Sequence, residues 1–440
     1  MVTTHAGPEK GALRALDAVA VAFDDPRAVA GAGLILPATL AGRLGLEQLA
    51  DAVVDLGERP GAARPGRKVM SLVHAMCAGA DSIDDCDLLR AGDTERVLGH
   101  RVMAPSTLGT FLRSFTFGHV RQLDRLGEQA LARAWAAGAG PADGPVVVDL
   151  DSTVVEVHGY QKQGAGFSHT RTLGLHPLLA TRADTGEVLH IRLRRGRANT
   201  MRGAERFVRE LIGRLRRAGA RGQITLRADS GFWAAKVMAA CRDHGVRFSI
   251  TVRSRDVAIA RTIAAIDEGA WAPIDYTTGG QAQVAEAAYG GLRLIVRRTR
   301  LVGPQQELFP DWRHHAFLTD RAGTAAGLDA DHRRHAVCEL AIRDLKAEGL
   351  RHCPSGRFFA NCAWVVIAAL AHNLVRWVAQ IGLGWSGQVV GATIRRRYLA
   401  LPGRITQSGR RRMLHLPTRW PWRGAFLTAL ARLRAVRLRI

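Results

Sequence analysis

Lysine is nearly absent from these 440 residues: of 62 basic side chains it supplies only those at positions 10, 68, 162, 236 and 346, and the rest are arginine. Acidic side chains stop at Glu348, so the last 92 residues carry 16 arginines and no acid. The six cysteines (Cys77, Cys86, Cys241, Cys338, Cys353 and Cys362) form no CxxC pair and no zinc-like spacing with histidine. That pattern excludes a zinc ribbon or a disulfide-stapled scaffold and predicts buried thiols in a reducing compartment. No apolar signal core opens the chain, and the longest apolar stretch, Ala363–Ala371, is too short to span a bilayer. The expectation is a soluble protein of the cytoplasm with no membrane partner. Internal repeats and low-complexity tracts are absent as well.

What is present in excess is positive charge, +23 in all. An Ala-, Gly- and Arg-rich composition is also what a GC-rich genome produces, and codon bias exchanges lysine for arginine. It explains a shortage of acids less readily, so the net charge points to a polyanionic partner, whose condensed counterions are released as its phosphates are neutralised. The charge is uneven: residues 1–140 sum to −1, residues 141–348 to +8 and residues 349–440 to +16. Deleting residues 395–440 is therefore expected to weaken non-specific DNA binding.

The apolar pattern divides the chain. Residues 1–140 read as a helical domain, with stripes at Leu44, Leu46, Leu49 and Val53, at Val69–Met76, and from a Ser106 cap through Leu108, Phe111, Leu112 and Phe115. Such short helices suit recognition of DNA ends, although their neutral charge fits any small bundle nearly as well. Residues 141–380 alternate strand and helix: strands at Val146–Val155, Thr172–Thr181 and Val188–Leu193, a helix at 203–218, a strand at Gln223–Ala228, a helix at 234–244 and a strand at Val246–Val252. Three hairpin-linked strands followed by helix, strand, helix and strand predict an α/β fold, an RNase H-like mixed five-stranded sheet with flanking helices. Residues 255–320 read as a β-rich insertion. A helix over 336–348 and an apolar helix over 362–381 follow, then an Arg-rich, loop-rich tail at 381–440.

Four carboxylates stand where chemistry is possible. Asp149 and Asp151 point to one face of the first strand, because side chains alternate with period two. Asp229 ends the fourth strand before a Gly turn, which suits a ligand group and a helix cap about equally. On the late helix, His332, His335, Glu339, Arg343 and Lys346 fall within a wedge of roughly 80°. Asp151, Asp229 and Glu339 together would offer three oxygen ligands from separate elements, the kind of set that Mg²⁺ takes while keeping positions for water and phosphate.

These pieces resemble the DDE transposases of bacterial insertion sequences, most closely the 1380-type group. The likeness rests on Asp149-Leu-Asp-Ser-Thr with His158-Gly, on Arg227-Ala-Asp-Ser-Gly-Phe, and on Glu339 with Ile342, Leu345 and Lys346, over roughly residues 30–380. It implies Asp151, Asp229 and Glu339 as catalytic and metal-binding acids, two Mg²⁺ ions for which Mn²⁺ would substitute, and Asp149 as a supporting group behind them. It also implies DNA contact by Lys346, Arg343, His335 and His332, with Trp271 and Trp312 as candidate base-stacking residues. The partners implied are the double-stranded ends of the element and its target DNA, gathered by a homodimer at the bacterial nucleoid. Relatives carry Tyr and Arg where this chain has His332 and His335. A nuclease that cuts without joining and a transposase reduced to DNA binding are the rival readings.

Overall fold

The computed structural model describes residues 17–159, 161–168, 171–253, 255–278, 280–301 and 312–437. Its first layer is helical: α1 (Ile35–Arg43), α2 (Leu46–Val53), α3 (Pro65–Ala78), α4 (Pro105–Arg113) and α5 (Phe117–Ala134). Pro105 starts α4, as expected: proline occupies the first turn, where its missing N–H costs nothing, but Ala104 and not Ser106 holds the cap position.

The second layer is a mixed sheet. Three consecutive valines at Val146–Val148 favour the extended chain of its central strand, β1 (Val146–Ser152). On one side β1 pairs antiparallel with β2 (Leu178–Arg182), which pairs with β3 (Val188–Arg192). On the other side it pairs in parallel with β4 (Ile224–Ala228), and β4 with β5 (Arg247–Thr251). The crossovers run through α6 (Ala204–Arg217) and α7 (Ala235–Arg242). The strand expected over Thr172–Thr181 breaks at His176-Pro177. Leu173–Leu175 joins a small separate sheet with Val155–Glu156 and Gly166–Phe167, because Pro177 has no N–H to continue a ladder.

The sheet has nine strands rather than five. After α8 (Val257–Ala264), the insertion forms β6 (Ala272–Ile274), β7 (Gly280–Tyr289), β8 (Leu292–Leu301) and β9 (Arg313–Thr319). Antiparallel pairing of Phe317 with Thr251 joins β9 to β5, giving the order β6-β7-β8-β9-β5-β4-β1-β2-β3. The insertion thus covers the edge that β5 would otherwise leave open to foreign strands.

α9 (Ala325–Arg333), α10 (Cys338–Lys346) and α11 (Phe358–Trp377) complete the frame. With the turn that follows, α11 spans 26 residues to Leu383 and is apolar enough to cross a membrane, yet 89% of its apolar window is buried inside the protein. It packs on α3, α5 and β3 as a core helix. Its polar groups read the β2–β3 turn: Asn373 bonds both the N–H and the C=O of Val188, and the His372 ring meets the Gly186 carbonyl. The fully buried Glu187 accepts from the indoles of Trp135 and Trp377 and pairs with Arg182.

The C-terminal segment is folded, not a loop-rich tail. A hairpin of β10 (Gly403–Ser408) and β11 (Arg411–His415) pairs with Ala28–Val29, and α12 (Arg423–Ala435) packs on α1 and buries Phe426, Ala429 and Leu433. Deleting residues 395–440 would therefore open the core as well as remove charge, and point substitutions are the sounder probe.

Glu187→Ala leaves two buried indole N–H groups without their acceptor and takes one of its two carboxylate partners from Arg182, which keeps Asp184 and the Ala139 carbonyl. The expected cost is about 3–5 kcal/mol, with Glu187→Gln costing less because it keeps an acceptor oxygen. Denaturant midpoints of the two variants check this, and equal midpoints would contradict it.

Candidate active site

The parallel register of β1 and β4 builds the centre of the site. Asp149 lies opposite Arg227 and Leu150 opposite Ala228, so the next residues, Asp151 and Asp229, come side by side at the C-terminal ends of the two strands. Two residues back, on the same face by alternation, Arg227 grips Asp149 in a bidentate pair, Nε–Oδ1 at 2.7 Å and Nη2–Oδ2 at 2.9 Å. Both side chains are almost wholly buried. Arg227 Nη1 also donates to the Asp331 carbonyl at 2.6 Å, and Asp331 is held in turn by Arg321. The His335 ring meets the same Asp149 oxygen at 2.9 Å. One ion pair therefore ties β1, β4 and the segment leading into α10 together.

Asp151 is half-buried. Its Oδ1 accepts the Ser152 N–H at 2.6 Å, and its Oδ2 accepts from the Cys338 thiol at 3.4 Å. Burial raises its pKa; the Ser152 bond and His335 oppose that rise, and the like charge of Asp229 adds to it. Burial, with the Asp151 charge, also pushes the Cys338 thiol up, which keeps it protonated and able to donate. Asp229 is exposed and uses one oxygen to accept the Gly231 N–H, capping the short turn Ser230–Phe232. It serves as a cap, as the sequence allowed, but of this turn and not of α7.

Glu339 lies exposed in the first turn of α10, next to the Cys338 that touches Asp151. Two turns on, Lys346 is half-buried. Burial lowers its pKa, and the nearby Asp151 charge partly restores it. Arg343 is exposed on α10. Among the described residues no three His, Cys, Asp or Glu side chains are close enough together to cage a metal ion. The strand register sets Asp151 beside Asp229, and Glu339 forms no three-ligand group with them. The pair suits a hard divalent cation: both donors are carboxylate oxygens, and a cation would relieve the repulsion that already lifts Asp151.

The two histidines do not extend a DNA-facing stripe. The helix expected to carry them is broken: α9 ends at Arg333, a tight turn spans Arg334–Val337, and α10 begins at Cys338. His332 stacks on Phe317, ring centres 4.1 Å apart, and its nitrogens meet the hydroxyls of Ser249 at 2.6 Å and Thr251 at 2.9 Å. These bonds to β5 hold it inward, as Asp149 holds His335. In the insertion, Trp271 is buried and Trp312 half-buried, and both cover Arg298, at 4.2 and 4.6 Å from its guanidinium.

Sequence reasoning passed over four contributors. Arg227 stands two residues before Asp229 as Asp149 stands two before Asp151; that shared parity was the available signal. Cys338 carries no local signal at all. A cleft of about 410 Å³ beside the Asp229 turn is lined by Phe167, His176, Arg197, Asn199, Gly231 and Arg253, so Arg197 and Arg253 add positive charge next to the acids. Only the arginine run after β3 hinted at it.

His332 yields a pH test. Burial depresses its pKa to about 3, below the ordinary 6.5. Its contribution to stability is complete above the unfolded-state value and is lost as pH falls from there toward 3. Stability should then fall with a slope of up to about 1.4 kcal/mol per pH unit from this group. His332→Asn should be less stable at pH 7.5 and flatter between pH 6.5 and 5. An unchanged slope in denaturation midpoints would contradict the assignment.

The family whose sequence profile matches is described as transposase DDE domain group 1, and the match runs over residues 13–438. No curated protein matches the chain in sequence. Among solved structures the chain is similar to a piggyBac transposase in a synaptic complex with hairpin DNA, at 13% identity and a TM-score of 0.47, over 84% of this chain and 80% of that one. With nearly its whole length matched to that profile, the chain belongs to the DDE-domain transposases.

Proposed function

We propose that this transposase binds the terminal inverted repeats of an insertion sequence of the 1380 type, cuts at them and joins the freed ends to target DNA. The observation that carries the reading is the register of β1 and β4, which brings Asp151 beside Asp229 with an ion pair fixing both strands behind them. In this reading β1–β5 with their helices are an RNase H-like catalytic core over residues 141–380, residues 1–140 recognise the element ends, and residues 381–440 add charge.

Asp151, Asp229 and Glu339 would hold Mg²⁺, as two ions, with Mn²⁺ able to replace it. Bound there, the metal supplies Lewis acidity at the scissile phosphate and lowers the pKa of a water or 3′-hydroxyl. The protein's own part is positional. Asp149 and Arg227 fix the strand ends, and Cys338 orients one Asp151 oxygen. Glu339 sits in the first turn of α10, where the helix end favours negative charge. Arg343 and Lys346 lie on the same helix to hold backbone phosphates. Trp312, the more accessible of the two tryptophans, is the better candidate for stacking on a displaced base. Two copies acting on paired ends, a homodimer, complete the scheme.

The reading of a decayed, binding-only protein drew its support from His332 and His335 standing where relatives carry Tyr and Arg. Their bonds to Ser249, Thr251 and Asp149 give both residues a task within the fold, which supports the active reading.

The test uses a duplex of the element end, taken from DNA flanking the gene, with Mg²⁺ and a target plasmid. Wild-type protein should cut the end and, given a pre-cleaved 3′ end, join it to the plasmid. Asp151→Asn, Asp229→Asn and Glu339→Gln should each bring cutting to background and keep duplex affinity within about twofold, because phosphate contact does not need the acids. Cutting without joining would favour the nuclease reading, and full activity of any one variant would remove that acid from the site.

A further inference from the structure

The β10–β11 hairpin divides into a held base and a projecting tip. At the base, Ile405 is buried with Leu414 packed beside it, Gly403 pairs with Val29, and the Ile405 N–H bonds the Arg27 carbonyl. Beyond that, Gln407 faces Arg412 and Ser408 faces Arg411. Gly409, at a φ of 59° that favours glycine, closes the turn with Arg410.

Three consecutive arginines, Arg410, Arg411 and Arg412, thus crowd the tip. All are exposed, and Arg411 and Arg412 point to opposite faces by strand alternation. None makes an ion pair or a side-chain hydrogen bond with any described residue. At the base, Asp25 pairs with Arg404. Three other arginines of the segment are committed to structure: Arg395 pairs with Glu348, Arg397 covers Trp422, and Arg432 donates to the Gly382 carbonyl. Three like charges packed into one tight turn repel one another in the free protein and are relieved by a polyanion. A two-stranded ribbon is also among the few elements that fit the roughly 12 Å width of a DNA major groove.

We propose that this ribbon is a second DNA-contacting element, separate from the carboxylate site, whose tip enters a groove of duplex DNA and places Arg410, Arg411 and Arg412 on phosphates. The proposal deepens the transposase reading above by naming which surface holds the DNA.

The test is a salt series of duplex binding by the full chain, comparing wild type with the triple variant Arg410→Ala, Arg411→Ala, Arg412→Ala and with the matching triple Lys variant. The Ala variant should flatten the slope of log affinity against log salt by about 2–3 and lose about ten- to a hundredfold in affinity at 150 mM salt, and the Lys variant should restore both. At saturating DNA its single-turnover cutting should stay at the wild-type rate, whereas Asp151→Asn should keep the wild-type salt slope. Failure of the ribbon and failure of the catalytic assignment are thereby separated. An unchanged slope in a folded Ala variant overturns the proposal. So does capture of the ribbon by phosphatidylglycerol vesicles with duplex binding unaltered.

Discussion

Everything at the site leans on one buried ion pair. Asp149 and Arg227 face each other across parallel strands, and neither charge could stay buried without the other. Removing one partner of such a pair costs on the order of 3–5 kcal/mol, because the survivor is left uncompensated. The pair locks the register of β1 against β4, and a slip of one residue would turn every side chain of a strand to the opposite face. With the register fixed, Asp151 and Asp229 have to emerge side by side. The same guanidinium reaches Asp331, and the same carboxylate holds His335, so the approach to α10 and Glu339 is set by the interaction that sets the two aspartates.

The rest of the chain stiffens this arrangement. α11 lies buried behind β2 and β3 and satisfies its polar groups on their turn, so the sheet's far edge cannot move independently of the helical layer. The insertion continues the sheet through β9, and any group it offers to DNA, Trp312 included, is carried on strands hydrogen-bonded in series with β1. The C-terminal segment closes over α1 and carries three adjacent exposed arginines on a defined ribbon.

Much of this was legible locally. The limits of β4 and β5 follow within a residue from runs of β-branched and apolar residues, β1 begins at Val146 as expected but ends at Ser152 and not Val155, and the neighbourhood of the first and fourth strands followed from their order. Other features depended on contacts that leave no local trace. Phe317 finds Thr251 across 66 positions, so nothing near either residue announces a nine-stranded sheet. The break before α10 occurs in a stretch with good helical spacing; hydrogen bonds from His332 to β5 and from His335 to β1 outweigh that periodicity. The tail looked irregular because glycine, proline and runs of arginine interrupt its apolar positions. Ile405, Phe426, Ala429 and Leu433 suffice to seat it only because the N-terminal helices present a matching surface. Of the candidate acids, Asp151 on β1 and Asp229 just past β4 occupy positions that strand register can anticipate. Glu339 sits on a helix expected from residue 336 and found from Cys338.

The central claim, that the register of β1 and β4 creates a divalent-cation site at Asp151 and Asp229, is tested most directly by crystals of the full chain grown with Mn²⁺ and examined for anomalous scattering. The account predicts a peak bonded to carboxylate oxygens of both Asp151 and Asp229, with Glu339 drawn toward it, and loss of that peak in Asp229→Asn. A peak held by other residues, or one at this site that persists in Asp229→Asn, would contradict it.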